Sequence, residues 1–317
     1  MAELADHFGA LTKAFTGLGV DEQSIIEVLG KWDPDQKHSF RKNSVEIFKE
    51  DERQFHRWDN RHFHRLHHEF LRFKDAVVLW TMHPWERDAR LVREAIQMGT
   101  QYANIIVEVA CTRSSDELLG ARKAYHSLFD HSIEEDIASK FQSPDKMLLV
   151  GLVSAYRYEG PKFSEELAKS EAKTLHSLIK SAANDEKLIE KEEIISILTT
   201  RSKVHLRAIC QHYQELSGTG LDEEVGDHTL IKQVIQCLCN KEAYFSEVLD
   251  GAIRGIEDGN YAKESLTRVI VTRADADLKV IKEVYKERCG VSLPDKIEEI
   301  ANGNFKNFLL TLIAREE

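Results

Sequence analysis

The segment Phe15-Thr16-Gly17-Leu18-Gly19-Val20-Asp21-Glu22 places glycines at alternate positions between two stretches of helical character. Glycine tolerates positive φ, so such a loop turns tightly and can aim several backbone carbonyls to one side. That suits calcium, which takes about six to eight hard oxygen ligands and accepts carbonyls, water and a bidentate carboxylate. The loop offers carbonyls, and a carboxylate has to come from elsewhere. Taken alone, a Gly-x-Gly between helices is also an ordinary turn.

Histidine and cysteine are the other residues able to do chemistry. Five of the fourteen histidines, His56, His62, His64, His67 and His68, fall within thirteen residues, interleaved with Arg57, Arg61 and Arg65. His64 and His68 are one helical turn apart, a spacing that can chelate zinc or copper. No acid or cysteine completes a tetrahedral set there, so a solvated basic face is the plainer expectation. A contact with anionic lipid that strengthens as histidine charges is a further one. The five cysteines, Cys111, Cys210, Cys237, Cys239 and Cys289, are odd in number and absent from the first third of the chain. That pattern argues against a secreted disulfide framework and for a reducing, cytoplasmic setting. Cys237-Leu238-Cys239 lacks zinc-site spacing.

The elements that must position these residues are helices. Over 317 residues, 42% are hydrophobic, 31% are charged and only five are proline, the profile of a folded globular chain. Apolar residues recur at helical spacing, as at Ile25, Ile26, Val28 and Leu29 and at Leu266, Val269, Ile270, Leu278, Ile281 and Val284. Alternating strand patterns are essentially missing, so the expected class is all-α. The N-terminal residues carry no apolar signal run, and no window is apolar enough to span a bilayer. The formal charge of −11 excludes a bulk attraction for nucleic acid or for anionic lipid, so a polyanionic partner would need a cation in between.

Self-similarity organises the chain. Thr-Arg followed by Ser or Ala closes an apolar helix at Thr112-Arg113-Ser114, Thr200-Arg201-Ser202 and Thr272-Arg273-Ala274, with Lys31 in the corresponding place near the start. A lysine leads into an apolar helix at Lys74, Lys146, Lys232 and Lys306. From the first mark to the second the distance is 33, 31 and 33 residues in three units and 43 in the first, which therefore carries about ten extra residues within 51–68. Four repeats follow, expected at 1–83, 84–160, 161–244 and 245–317. The polar, Gly- and Pro-punctuated stretch 156–169 reads as a surface linker and as the main internal boundary, giving two halves of two consecutive repeats each.

A four-fold repeat of this length, the Gly-x-Gly loop opening the first repeat and the recurring Thr-Arg-Ser/Ala helix end together resemble the annexins over nearly the whole chain. Leu79-Trp80-Thr81-Met82-His83-Pro84-Trp85-Glu86-Arg87-Asp88-Ala89 and Ala155-Tyr156-Arg157-Tyr158-Glu159-Gly160 look like the plant branch of that family. The resemblance implies a curved disc of four repeats of about five helices. It also implies calcium-dependent peripheral attachment to acidic phospholipid. Carried over by motif, the carbonyls of Phe15, Gly17 and Gly19 would hold calcium with the carboxylate of Glu69, expected in a later inter-helix loop of the same repeat. Val20 stands where the family usually has threonine.

The other repeats depart from that pattern. Gln97-Met98-Gly99-Thr100-Gln101 loses the first glycine, with Asp136 as its candidate acid. Ala182-Ala183-Asn184-Asp185-Glu186 has no glycine, and Gly255 to Asn260 replaces the motif in the fourth repeat. One good calcium site is expected. Leu18, between the glycines at a loop tip, is expected to dip into lipid, while the Thr-Arg-Ser/Ala marks, Trp80 and Trp85 are expected to be structural. Cys111 and Cys237 resemble a cysteine pair that some plant members bring close. No Walker A loop, dinucleotide fingerprint, zinc-protease helix or nucleophile elbow is present, so no enzymatic activity is expected. The competing expectations are a protein-interaction scaffold for actin or other annexins, and a redox- or metal-responsive stress protein.

Overall fold

The recurring Thr-Arg-Ser mark turns out to be three local devices in a row. The threonine hydroxyl bonds back to the carbonyl four residues earlier, Thr112 to Glu108 at 2.6 Å and Thr200 to Ser196 at 2.6 Å, closing the helix. The serine then caps the next helix: Ser114 Oγ accepts the Glu117 N–H at 3.2 Å, and Ser202 Oγ accepts the His205 N–H at 3.1 Å. At Ser114 the box is reciprocal, since Glu117 Oε2 accepts the Ser114 N–H at 2.7 Å. Between them, the arginine turns inward to a buried acid.

The computed structural model describes all residues except 1, 16–17, 30, 51–54, 143–144, 155, 182–190, 227–228, 256–259 and 316–317. Two compact units account for the chain, Met1–Thr81 with Phe245–Glu317, and Met82–Tyr244. Consecutive halves were expected; instead the N- and C-terminal segments share a unit.

The first unit contains α1 (Ala2–Ala14), α2 (Glu22–Leu29), α3 (Pro34–Asn43), a hairpin of β1 (Phe48–Glu50) and β2 (His56–Trp58), and α4 (Asn60–Thr81). The second contains α5 (Pro84–Met98), α6 (Ala103–Thr112), α7 (Ser115–Phe129), α8 (Ile133–Lys140), α9 (Asp145–Val153), α10 (Glu165–Ser181), α11 (Glu192–Thr200), α12 (Lys203–Ser217), α13 (Leu221–Glu224) and α14 (Thr229–Cys239). Helix α15 (Lys241–Arg254) begins in the second unit and continues in the first, followed there by α16 (Asn260–Arg273), α17 (Leu278–Cys289), α18 (Leu293–Ile300) and α19 (Gly303–Ile313).

The class is all-α apart from the hairpin, which the alternation pattern did not announce. Its three-residue strands pair antiparallel with Phe48 opposite Trp58, and their rings lie 4.5 Å apart. Phe40, Trp32 and Phe8 extend this into an aromatic chain with centroid spacings of 5.3 to 5.8 Å, packed with Leu11, Val28 and Ile47. Ring burial of this kind holds two very short strands that hydrogen bonds alone would not. After the hairpin, α4 runs unbroken for 22 residues, so the first repeat has four helices among the described residues rather than five.

In the second unit the stretch 156–169 is partly a surface segment, with Tyr156 87% exposed. It is not a boundary, however. Arg157 reaches back to the C-terminal carbonyls of α11, donating to Leu198 O at 2.7 Å and to Arg201 O, and its own carbonyl accepts from Ser115 Oγ at 2.9 Å. Glu159 Oε1 accepts the Ser115 N–H at 2.8 Å. The connector therefore ties the start of α7 to the end of α11.

The inward arginines make buried bidentate pairs: Arg113 with Asp88 at 2.6 and 2.8 Å, and Arg273 with Asp277 at 2.6 Å on both oxygens. Arg201 meets Glu171 at 2.6 and 2.8 Å, and His205 Nε2 lies 2.8 Å from the other Glu171 oxygen. Trp85 is 42% exposed but packs flat on α7 at Gly120, where an added Cβ would come 2.1 Å from the indole. Trp80 lies under the Arg315 guanidinium, 5.2 Å from its centroid. Arg113→Met would strand the Asp88 carboxylate, which is 1% exposed, and should cost about 3–5 kcal/mol in urea unfolding. Arg90→Met on the same unit breaks only the exposed pair with Glu86 and should cost less than about 1 kcal/mol.

Candidate metal centre

The loop after α1 is shaped by a neighbouring backbone. Leu18 N donates to Ile300 O at 2.9 Å and Leu18 O accepts from Asn302 N at 2.7 Å, forming a parallel bridge with Ala301. Leu18 is consequently fully buried. It does not sit at an exposed tip, and the expectation that it dips into lipid is overturned. Gly19 follows with φ +74°, and a Cβ there would lie 2.9 Å from both Asn302 O and Phe305 Cβ. Only glycine satisfies the backbone and the close approach together. Val20 is buried, its carbonyl occupying the space beside Gly303.

The fold delivers one carboxylate to this loop, that of Glu69. Its Oε2 accepts the Gly19 N–H at 2.8 Å across fifty residues of sequence. Arg72, one turn on, closes the same carboxylate with Nε to Oε2 at 2.6 Å and Nη2 to Oε1 at 3.0 Å. Both side chains are buried, and the Arg72 guanidinium also lies 5.9 Å above the Phe305 ring. Glu69 therefore projects from the interior of α4, not from an inter-helix loop, and Arg72 already balances its charge. Sequence reasoning paired the glycine loop with Glu69 but missed Arg72, whose only signal is its three-residue spacing from the acid.

Of the four residues singled out as calcium ligands, the structure brings Gly19 and Glu69 together. Phe15 follows the last turn of α1, its N–H bonded to Leu11 O at 3.1 Å and its ring 6.1 Å from Trp58, and Gly17 lies outside the described residues. Past the loop, a cleft of about 340 Å³ is lined by Asp21, Glu22, Asn302, Asn304 and Lys306. Its carboxylates are engaged: Asp21 accepts from Ser24 Oγ at 2.6 Å, which lowers its pKa, and Glu22 accepts from the Asn304 N–H at 3.2 Å.

The corresponding acids elsewhere serve packing. Asp136 lies within α8, where it accepts from the Tyr125 hydroxyl at 2.5 Å and pairs with Arg93. An equivalent arrangement recurs at Glu224, which accepts from Tyr213 at 2.7 Å, Thr219 Oγ1 at 2.8 Å and Lys180 at 3.1 Å. In both cases the tyrosine is fully buried and precedes its acid by eleven residues. The Tyr213 hydroxyl, then Thr219 and Lys180, hold the Glu224 carboxyl down at about 2. The loop at 182–186 lies outside the described residues, as do residues 256–259 of the fourth-repeat motif. Glu299 of that repeat pairs with Lys296 at 2.6 Å.

Among the described residues no group of three or more His, Cys, Asp or Glu is placed to hold a metal. The histidine segment supplies only pairwise contacts, His56 with the His38 ring at 6.3 Å and His68 with Glu264 at 3.9 Å. Cys111 and Cys237 are each buried, and burial pushes the Cys111 thiol up to about 11.

This architecture of helical repeats with a carboxylate drawn to a glycine loop defines a known class. A family model described as Annexin matches residues 87–152, 170–230 and 244–312. The chain is 47% identical to Annexin D4 of Arabidopsis thaliana over 97% of its own length and 98% of that protein. Chicken annexin V superposes with a TM-score of 0.69 at 24% identity, covering 98% of this chain and 96% of that one. A calcium-bound annexin (Sm)1 gives 0.65 at 18%, covering 99% and 91%. The chain belongs to the annexin family. Four repeats build its fold, and residues 1–86, which carry the glycine loop, lie outside the three matched segments.

The residues present fit calcium in donor chemistry, with a hard carboxylate drawn to a glycine-shaped turn; Arg72 is a rival cation for that carboxylate. Gly19→Ala should destabilise the first unit by about 2 kcal/mol, whereas Gly9→Ala, with open space around its Cβ, should be neutral or stabilising, both read by thermal unfolding. A carboxyl held low in the native state stabilises above its unfolded value and loses that contribution as pH falls toward the native one. Glu224→Gln should therefore flatten the loss of stability between about pH 4.5 and 2 and leave the slope between pH 7 and 8 unchanged.

Proposed function

We propose that this annexin binds acidic phospholipid surfaces peripherally when calcium rises, from the cytoplasm, as a binder with no catalytic role. The ion would be held by the carbonyls of Phe15, Gly17 and Gly19 together with the Glu69 carboxylate, and lipid phosphate would complete its shell. The observation that carries this reading is the 2.8 Å contact between Glu69 and Gly19, which draws the first repeat's candidate acid to its glycine loop. A bound divalent cation also supplies the attraction that a chain of charge −11 lacks. Family membership supports calcium as the cofactor, and one solved structure of the same fold is described as calcium-bound. No helix among the described residues is long and apolar enough to cross a membrane, in keeping with surface attachment. The repeat limits 1–83, 84–160, 161–244 and 245–317 belong to the same reading, and unit limits at Met82 and Phe245 support two of them.

Arg72 sets the calcium requirement in this reading. A guanidinium forming two hydrogen bonds to Glu69 must yield the carboxylate before a metal can use it, and charge-assisted bonds of this kind are worth about 1.5–3 kcal/mol each. Binding should therefore need high calcium. Co-sedimentation with phosphatidylserine vesicles across a calcium titration tests this directly. Glu69→Gln should abolish calcium-dependent pelleting, with circular dichroism confirming the fold, and Arg72→Gln should lower the half-maximal calcium concentration roughly tenfold. Pelleting indifferent to calcium and to both substitutions would sink the proposal in favour of a scaffold that binds actin or other annexins.

A further inference from the structure

Two of the five thiols touch. Cys210 lies on α12 and Cys239 is the last residue of α14, and their Sγ atoms are 2.7 Å apart. Cys239 Sγ also donates toward Leu206 O at 3.7 Å. Both residues are partly exposed, whereas Cys111 and Cys237 are buried. Cys289 is partly exposed too, but it faces Asp250 and Tyr285, not a second sulfur.

We propose that Cys210 and Cys239 form a reversible intramolecular disulfide, with a hydroperoxide as the oxidant. One sulfur, as thiolate, attacks a peroxide oxygen; the O–O bond breaks, leaving a sulfenic acid and an alkoxide or hydroxide that takes up a proton. The second sulfur, already in contact, attacks the sulfenic sulfur, forms the S–S bond and expels hydroxide, which leaves as water. Two thiols and one ROOH become one disulfide, one ROH and one water, the sulfurs losing the two electrons that reduce the peroxide. No helix has to move far for the second step, which distinguishes this pair from a solitary oxidisable cysteine.

The surroundings set the rate. The shared hydrogen bond with Cys210 and burial together keep the Cys239 thiol well above its ordinary value. The charged groups facing the pair are Arg207, Arg157 and Asp222. Because the thiolate is the nucleophile, oxidation should be slow at pH 7 and quicken toward pH 9. The bond would join α12 to the end of α14 and enclose α13 with its Tyr213–Glu224 contact. Closing that loop should raise the melting temperature by roughly 5 °C.

The test uses the full chain with a few equivalents of hydrogen peroxide at pH 7 and pH 8.5, followed by alkylation in denaturant and mass spectrometry. Expected are the joint loss of two thiols out of five, faster at the higher pH, and recovery of both with dithiothreitol. The tryptic peptide carrying Cys239 also carries Cys237, so fragment ions must place the link at Cys239. Cys210→Ser and Cys239→Ser should each abolish the pairwise loss, while Cys289→Ser should oxidise like the parent. A link from Cys111 to Cys237, intermolecular disulfides, loss at Cys289 alone, or five thiols intact at pH 8.5 would each overturn the assignment. None of these outcomes depends on membrane binding, and the parent protein's own linkage map keeps the test decisive if a variant folds poorly.

Discussion

A buried carboxylate held by a guanidinium recurs through this molecule, and the packing around it has to keep that pair intact. Arg72 with Glu69, Arg113 with Asp88, Arg201 with Glu171 and Arg273 with Asp277 occupy the four repeats. Taking two charges out of water is costly, and the cost is offset only when geometry is near ideal and remaining polar atoms are bonded. Removing one partner is worse than removing both. The pairs of Arg113 with Asp88 and of Arg201 with Glu171 therefore restrict where α5 and α10 can sit against the helix ends they meet, whereas Glu69 and Arg72 share α4 and Arg273 and Asp277 lie four residues apart. In the fourth repeat α15 presents the Phe245 ring, 4.9 Å from the Arg273 guanidinium, where α5 and α10 present acids, so Arg273 takes its carboxylate from the turn before α17.

The first repeat puts the same device to a second use. Its carboxylate is shared between Arg72 and the glycine loop, so the group that stabilises the buried end of α4 is also the one that a calcium ion would require. Structural and ligand roles compete for two oxygen atoms. That competition, more than the number of glycines, governs how readily this site could respond to calcium. The acids of the second and third repeats have gone further in the structural direction, since Asp136 and Glu224 are each held by a buried tyrosine and a cation.

Local hydrogen bonding explains where simple readings of loops fail. Gly and Pro in 156–169 suggest a boundary, yet Arg157 fastens that segment to the carbonyls ending α11 and to Ser115. Leu18 between two glycines suggests an exposed tip, yet its backbone pairs with residues 300–302, and the side chain turns inward as a consequence. In both places the partner is remote in sequence, and a backbone donor or acceptor leaves no trace in residue type.

Residue periodicity and the repeated helix-end motif by themselves determined the helical class and the four-fold repeat, because helix caps and helical spacing depend on interactions within a few residues, while the pairing of Gly19 with Glu69 was legible only through the resemblance to the annexins. Only the tertiary structure decided that the first and last segments share a compact unit, that Arg72 occupies Glu69, that short strands at Phe48–Glu50 and His56–Trp58 pair, and that Cys210 meets Cys239. Each of these rests on contacts between elements distant in the chain or on a choice among several nearby partners, and burial and geometry make that choice only after the helices have packed.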